Sequence, residues 1–188
     1  MKKLHVALAT TLLSAGAQAI TVEYSDFSDL SDFQLNGSTA SISNPTTPDN
    51  ALRLTDNLNQ SGSAFLTNTI SLNNQASFSA SFDFRISNPM GISDQDGQGA
   101  DGITFIVQTV SNTAGGTGGG IGYSGLSNSV GVEFDTWNNG SYDEHSGNHV
   151  GINLDGNIDS VVQTDITPRM NNGDIWSAWV DYNGVTDL

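Results

Sequence analysis

A period of two in residues 130–153 constrains this chain more than any other feature. The stretch begins VGVEFDTWNN, and alternation places Glu133, Asp135 and Trp137 on one face of a strand, with apolar residues on the other. Two carboxylates that close on one face repel each other, and partial burial strengthens the repulsion. A bound cation would remove this cost. The alternation resumes after a polar loop, so the sequence predicts a strand, a loop and a second strand with metal ligands along one rim.

The loop and the second strand add oxygen donors and an imidazole. Carboxylate and amide oxygens suit calcium, whereas carboxylates joined by one imidazole suit a transition ion such as manganese, zinc or iron. The candidate ligands are Glu133, Asp135, Trp137 through its backbone oxygen, Asn139, Asp143 or Glu144, and His149. Two ions that share Asp135 and the second acid would use this whole set. An acidic loop is more often a plain solvated surface, and His145 is expected to be a surface residue, but the combination favours a metal site.

Residues 1–19 have the order of features found in secretory signal peptides. Two lysines form a basic start, residues 6–15 are apolar but too few to span a membrane, and residues 17–19 form a small-x-small cleavage site. We therefore expect cleavage after Ala19 and an exported protein that is secreted, periplasmic or at the cell surface. No other stretch of the sequence is long and apolar enough for a membrane span.

The charge balance limits the partners of the exported chain. Removal of residues 1–19 leaves three arginines against 20 acidic residues, a formal charge of −17. Such a chain lacks the basic surface that nucleic acids and anionic membranes require. The balance is compatible with a cation-dependent protein and with neutral ligands such as sugars. There are no cysteines, so the exported fold must rely on its core and on any bound metals instead of disulfides.

Strand and turn patterns in the rest of the chain predict one all-β domain over residues 20–188. Ser, Thr, Asn and Gly are abundant, which fits short strands and turns better than helices. The clearest strand is 78–85, in which Phe78, Phe82 and Phe84 share one core-facing side. Further strands are expected at residues 33–42, 52–55, 63–66, the second half of 100–107, 160–165 and 175–182, with turns at 45–50 and 183–184.

Two loops have unusual composition. Asp101 lies between Ala100 and Gly102 where a loop enters a strand, and the simplest interpretation is a turn acid. Residues 114–127 read AGGTGGGIGYSGLS. This loop lacks the G-K-[ST], the following helix pattern and the basic residue of a phosphate-binding loop, so phosphate binding is a poor interpretation. A flexible linker is the remaining simple alternative.

The run VGVEFDTWNN, an acid in the loop and the HVGI of the next strand together resemble the metal-binding hairpin of the L-type (legume) lectins and their bacterial relatives. The resemblance covers most of residues 20–188 and implies a concanavalin-like jelly-roll β-sandwich of antiparallel sheets. Family members continue for several strands beyond the position of Leu188. We therefore expect a C-terminally truncated domain with an unpaired edge. The resemblance is also compatible with homo-oligomers.

The resemblance implies two ions in the hairpin. The residues carried over are Glu133 and His149 for the transition ion, usually Mn²⁺, Asn139 and the backbone oxygen of Trp137 for Ca²⁺, and Asp135 for both. Counting back from His149 places the second bridging acid at Glu144, where the family usually has Asp. Asp143 is the neighbouring alternative, and the sequence leaves the two open.

The same resemblance implies a sugar site. The A-D-G-I-T-F run is similar to a lectin loop whose Asp hydrogen-bonds two sugar hydroxyls and follows a cis peptide bond, here Ala100–Asp101. GGGIGY is similar to a loop whose backbone N–H donates to the sugar, and Gly119 or Gly120 would be that donor. Asn139 and the ring of Trp137 would complete the site. The expected ligand is a neutral hexose such as mannose, glucose or galactose, and the ions would hold these residues without contacting it.

Two other functions fit parts of the pattern. Some glycoside hydrolases of the same jelly-roll fold place a third acid after two carboxylates on a strand. No third acid follows Asp135 in register, so catalysis is not expected. An adhesin module could use calcium for rigidity alone, and Asp101 would then have no role. Substitution of Asp101 distinguishes this module from a lectin.

Overall fold

The structure is a computed structural model that describes residues 21–43, 49–73, 75–113 and 115–185. The expected signal peptide, most of the turn at 45–50 and Leu188 lie outside the described residues. Within those ranges no helix is long and apolar enough to cross a membrane. The described strands are β1 Phe33–Gly37, β2 Ala40–Ser43, β3 Asn50–Arg53, β4 Gly62–Leu66, β5 Phe78–Phe84, β6 Ser93–Asp94, β7 Gly97–Gln98, β8 Gly102–Gln108, β9 Ser129–Asp135, β10 His149–Leu154, β11 Val162–Asp165 and β12 Trp176–Tyr182, and 3₁₀-helices occupy Gly118–Gly120 and Gly140–Asp143.

One of two compact units contains β5 and β12, which pair antiparallel along their whole length. The alternation predicted for β5 is present, because Phe84 is buried and Phe78 is half-buried, whereas Ser79 and Asp83 are exposed. The exposed positions form cross-strand hydrogen bonds, for example from Ser177 Oγ to Asp83 Oδ1 at 2.6 Å. The apolar and polar sides of β5 are therefore assigned correctly by the sequence pattern.

The second unit contains a four-stranded sheet of order β11–β10–β9–β8 and three strand pairs, β1–β4, β2–β3 and β6–β7. All of these pairings are antiparallel. Ile121, Tyr123 and Leu126 form a buried apolar cluster from the Gly-rich loop, and Ile106 of β8 packs against it. The hydroxyl of Tyr123 lies 3.1 Å from the carbonyl oxygen of Asn153, so this loop is attached to the sheet rather than being a free linker.

Several predicted strand boundaries differ from those in the structure. The single strand expected at 33–42 is two strands, because Gly37 has φ +62° and the chain turns there, so that β1 pairs with β4 and β2 with β3. An added Cβ at Gly37 would lie 2.0 Å from the carbonyl oxygen of Ser61, which explains the need for glycine. Residues 93–98 form the hairpin β6–β7, which the sequence pattern does not reveal because its two-residue strands are too short to give a periodic signal.

Candidate functional site

Adjacent strands bring together Glu133, Asp135 and His149. Period two on each strand directs the three side chains to one face, and the register of β9 with β10 pairs Asp135 with His149. Their exposed fractions are 2% for Glu133, 3% for Asp135 and 0% for His149. One donor atom from each lies within 4.8 Å of the others. The face with two carboxylates is therefore buried, and at this end of β9 Phe134 on the opposite face is buried as well.

A network of hydrogen bonds holds Glu133. His149 Nε2 lies 3.2 Å from Glu133 Oε1, and Ser160 Oγ donates to the same oxygen at 2.7 Å. Asn153 Nδ2 donates to Glu133 Oε2 at 2.6 Å. Gly151 faces Glu133 across the strands, and an added Cβ there would lie 2.6 Å from Oε1. The carboxylate is thus held in one position, in space that exists because residue 151 has no side chain.

Burial controls the protonation of this cluster. It raises the pKa of Asp135 to about 8, although the hydrogen bond from the Trp137 N–H opposes the shift. Burial also raises the pKa of Asp143. Burial acts to lower the pKa of His149, but the hydrogen bond to Glu133 and the charges of the nearby carboxylates outweigh it, and the pKa is raised. A divalent cation stabilises the ionised carboxylates that burial disfavours, so the donor set fits a metal ion.

The structure distinguishes Asp143 from Glu144. Asp143 ends the 3₁₀-helix Gly140–Asp143 and is 3% exposed, and its Oδ2 accepts a hydrogen bond from the Asn139 N–H. Glu144 is exposed in the left-handed region at φ +48°, where its side chain leaves the cluster. Counting back from His149 points to Glu144, but the helical turn directs the preceding residue, Asp143, inwards. His145 is exposed, as expected.

Backbone N–H groups of the turn after β9 donate hydrogen bonds to the acids Asp135 and Asp143. The Trp137 N–H donates to Asp135 Oδ1 at 2.6 Å, and the Asn139 N–H donates to Asp143. The side chains of Trp137 and Asn139 are half-buried, so neither is a fully enclosed core residue. The four residues expected to share calcium are consequently adjacent in space.

The loop at Asp101 is attached to the end of β9. The Ala100–Asp101 peptide bond is cis, as the resemblance implied. The carbonyl oxygen of Asp101 accepts hydrogen bonds from the N–H and the hydroxyl of Thr136, at 2.8 and 3.2 Å. Gly102 pairs with Asp135 across β8 and β9. Asp101 is half-buried, and burial raises the pKa of its carboxyl group.

Gly119 and Gly120 differ in their surroundings. The N–H of Gly120 donates to the carbonyl oxygen of Thr117 at 3.2 Å, whereas no described residue accepts a hydrogen bond from the N–H of Gly119. An added Cβ at Gly119 would lie 2.4 Å from Asn139 Nδ2, so the two residues are in close contact. The Gly-rich loop therefore meets the turn after β9 at Gly119.

Sequence reasoning did not identify several polar residues around the cluster. Asn153 could have been found, because alternation puts it on the same side of β10 as His149. Ser160 lies in the segment between β10 and β11 and had no such signal. Arg169 and Asn148 are contributed by loops whose paths are not periodic, so only the folded structure brings them to the site.

The comparisons with known proteins agree with this geometry. The family model for the legume lectin domain matches residues 19–188, and the chain belongs to that family. The galactose-binding lectin of Arachis hypogaea is 42% identical over 94 residues, which cover 47% of this chain and 32% of that protein. The L-type lectin-domain containing receptor kinase VIII.1 of Arabidopsis thaliana is 30% identical over 118 residues, which cover 58% of this chain and 16% of that protein. The chain thus spans less than half the length of these relatives.

Solved structures confirm the predicted fold class. The basic winged bean lectin with Tn-antigen has a TM-score of 0.64 and 26% identity, covering 82% of this chain and 65% of that one. Peanut lectin with a nine-residue peptide has a TM-score of 0.61 and 27% identity, covering 87% and 71%. The chain has the all-β, antiparallel jelly-roll fold of these lectins. Because legume lectins are non-enzymatic carbohydrate-binding proteins, the hydrolase alternative is not supported.

Proposed function

We propose that residues 20–188 form a carbohydrate-binding domain that binds a neutral hexose at a site stabilised by metal ions. One observation carries the proposal. The Asp101 loop is hydrogen-bonded to Thr136, the residue that follows the buried acid Asp135, while Gly119 contacts the Asn139 amide in the same turn. A carboxylate, an amide and a free backbone N–H are the donors and acceptors that read paired sugar hydroxyls.

The metal-binding part of the proposal concerns two ions with shared ligands. Glu133 and His149 would bind the transition ion, usually Mn²⁺ in this family, and Asp135 would serve both ions. Asp143 is proposed as the second shared acid in place of Glu144, because its carboxyl group is buried beside the cluster. The Asn139 side chain and the Trp137 backbone oxygen would also coordinate calcium. The ions would neutralise the buried carboxylates and hold the turn that presents the sugar contacts.

The sugar-binding part assigns one role to each residue. Asp101 would accept hydrogen bonds from two hydroxyls, and its half-buried position supports a contact that excludes water. Gly119 is preferred to Gly120 as the backbone donor, because the Gly120 N–H already has an acceptor. Asn139 would donate through its amide. The half-buried Trp137 ring offers a face on which the C–H side of a hexose can stack.

The ligand class follows from this site and from the relatives. The Arachis hypogaea relative is named as galactose-binding, and one structural neighbour is the acidic winged bean lectin with methyl-α-D-galactose. These names support a galactose-type hexose, and mannose or glucose remains the alternative with the same hydrogen-bonding groups. The net charge favours a neutral sugar over an anionic one, since 20 acidic residues repel carboxylates and sulfates.

A glycan array tests the proposal directly. The protein without residues 1–19 is applied with Ca²⁺ and Mn²⁺ and again with EDTA, and retention of hexose-terminated glycans should be lost in EDTA. Asp101→Ala should abolish retention while calorimetry still detects calcium binding. Asp159→Ala, an exposed acid outside the proposed site, is the matched control and should bind normally. Calcium binding without glycan retention by the unmodified protein would instead favour a structural module.

We also propose that the protein is exported, on the basis of the residue order in 1–19. The basic start, the apolar run and the small-x-small site support cleavage after Ala19. Mass spectrometry of the protein recovered from the periplasm or medium should give an N-terminus at Ile20. Recovery of the full-length chain in the cytoplasm alone would contradict export.

A further inference from the structure

We infer that Arg169 is a positioning residue for the sugar site, acting through Thr136 on Asp101 and Trp137. The inference rests on the proposed function and adds a residue that lies far from the hairpin in sequence. Lys2 and Lys3 are the only lysines, so Arg169 is one of three basic side chains in the rest of the chain, with Arg53 and Arg85. It is the one whose guanidinium contacts the turn after β9.

The contacts of Arg169 define its position. Its Nη2 atom donates to the carbonyl oxygen of Thr136 at 2.7 Å and lies 3.5 Å from Asp94 Oδ1. Its Nη1 atom donates to the carbonyl oxygen of Gln98 at 3.3 Å. The side chain of Arg169 is 16% exposed and that of Asp94 is 5% exposed. A guanidinium can hold several acceptors in one plane, which a single ammonium cannot do. Arg169 therefore joins the β6–β7 hairpin to the end of β9.

The peptide unit between Thr136 and Trp137 is held at both ends. Arg169 donates to its carbonyl oxygen, and its N–H, which belongs to Trp137, donates to Asp135 Oδ1 at 2.6 Å. When a bound cation keeps Asp135 ionised, a charged donor at the oxygen and a charged acceptor at the N–H polarise the amide in the same direction, so each hydrogen bond strengthens the other. The orientation of this peptide fixes the start of the turn that presents Trp137.

Thr136 transmits the same constraint to Asp101. It is 1% exposed, and both its N–H and its hydroxyl donate to the Asp101 carbonyl oxygen. Rotation of the Thr136 backbone would therefore move the Asp101 loop together with Trp137. Arg169 makes no hydrogen bond to Asp101 or Trp137, so its effect on sugar binding would pass mainly through Thr136. A second route runs through Asp94, whose Oδ2 accepts a hydrogen bond from the Asn138 N–H at 3.1 Å.

A second set of contacts fixes the loop that carries Arg169. The Asn148 side chain, 6% exposed, donates to the carbonyl oxygens of Ile166 and Pro168 and accepts from the N–H of Met170 at 2.9 Å. Met170 itself is 1% exposed. Because Asn148 immediately precedes His149, the loop is anchored to β10 at its start. Arg169 thus projects from a fixed loop rather than from a mobile surface segment.

The test compares Arg169→Met, Arg169→Lys and the control Arg85→Met, which makes the same charge change at an exposed position. Loss of a charged hydrogen bond predicts about tenfold weaker hexose binding in Arg169→Met, with partial recovery in Arg169→Lys. Calcium affinity measured by calorimetry should fall by less than hexose affinity does, since Arg169 contacts no proposed ligand atom directly and acts only on the turn that carries Trp137. Equal hexose affinity in wild type and Arg169→Met would overturn the inference.

Amide hydrogen exchange in the calcium-loaded protein separates this inference from the proposed function. In Arg169→Met, exchange at Thr136 and Trp137 should accelerate about tenfold, while amides paired within β10 and β11 stay unchanged. Failure of the unmodified protein to bind any glycan would refute the proposed function, and the exchange rates would still decide the positioning role. Unchanged exchange at both amides would refute that role. Should Arg169→Met not fold, Arg169→Lys takes its place in both measurements.

Discussion

Calcium affinity should depend steeply on pH, because the ion must displace a proton from Asp135. Burial raises the pKa of this carboxyl group to about 8. Below that value a bound cation competes with one proton, so the apparent affinity should rise about tenfold per pH unit, or ~1.4 kcal/mol. The raised pKa of Asp143 makes calcium affinity still more dependent on pH at any pH where that group also loses a proton. Between pH 6 and pH 7 we therefore expect calcium binding to strengthen by at least about tenfold.

Isothermal titration calorimetry provides the assay for this dependence. Titrations at matched pH in two buffers with different ionisation enthalpies count the protons released per calcium ion, and the count should be close to one or above at pH 6.5. Asp135→Asn removes both the proton and the proposed ligand, whereas Asp159→Asn alters an exposed acid and serves as the matched control. Affinity that is constant from pH 6 to pH 7.5, with no proton release, would refute the argument.

The same pKa predicts different stability trends with and without the ion. The folded pKa of Asp135 lies above its ordinary value of 3.8, so between about pH 4 and pH 8 the folded state holds a proton that the unfolded state has lost. The metal-free protein should therefore lose stability as the pH rises through this window. With saturating calcium Asp135 is ionised in both the folded and the unfolded state, so the melting temperature should be nearly independent of pH across this window. Parallel melting curves in EDTA and in calcium, at pH 5.5 and 7.5, measure both trends.

Four substitutions test other parts of the site. Asp143→Asn should weaken calcium binding about a hundredfold or more by calorimetry, whereas Glu144→Gln should change calcium affinity by less than about twofold. The reverse order of effects would favour Glu144 as the shared ligand. Gly119→Ala should reduce glycan retention about tenfold and should also weaken calcium binding, because its Cβ would lie 2.4 Å from Asn139 Nδ2 and would displace a proposed calcium ligand. Gly151→Ala should lower the free energy of unfolding by about 1–3 kcal/mol, measured by thermal denaturation, since its Cβ would lie 2.1 Å from Ser160 Oγ. A variant as stable as the wild type would contradict the described packing.

Periodic features of this protein could be predicted from the sequence. Alternation identified β5 and β9 and assigned Glu133 and Asp135 to one face, because a strand imposes a period of two on every side chain. The pairing of Asp135 with His149 then follows once the second strand is placed. These successes concern local geometry that a few residues determine by themselves.

Non-periodic features could not be predicted in the same way. The choice between Asp143 and Glu144 depends on a one-turn helix after Asn139, whose direction no pattern in the loop reveals. Gly37 divides one expected strand into two because of a close approach to Ser61, a contact distant in sequence. Arg169 reaches Thr136 only through the tertiary fold. Such details depend on contacts between segments, and single-sequence patterns carry no information about them.

The attachment of the Gly-rich loop has a consequence for engineering specificity. Gly116 and Ser124 bracket the loop with a hydrogen bond of 2.8 Å, and the adjacent Tyr123 is fully buried with its hydroxyl against the carbonyl oxygen of Asn153. A segment grafted from another lectin at positions 117–122 would therefore be exchanged between two fixed ends. A graft that extends through Tyr123 would also disturb Asn153, whose amide donates to Glu133. Such a graft would therefore alter the proposed transition-metal site together with the proposed sugar site.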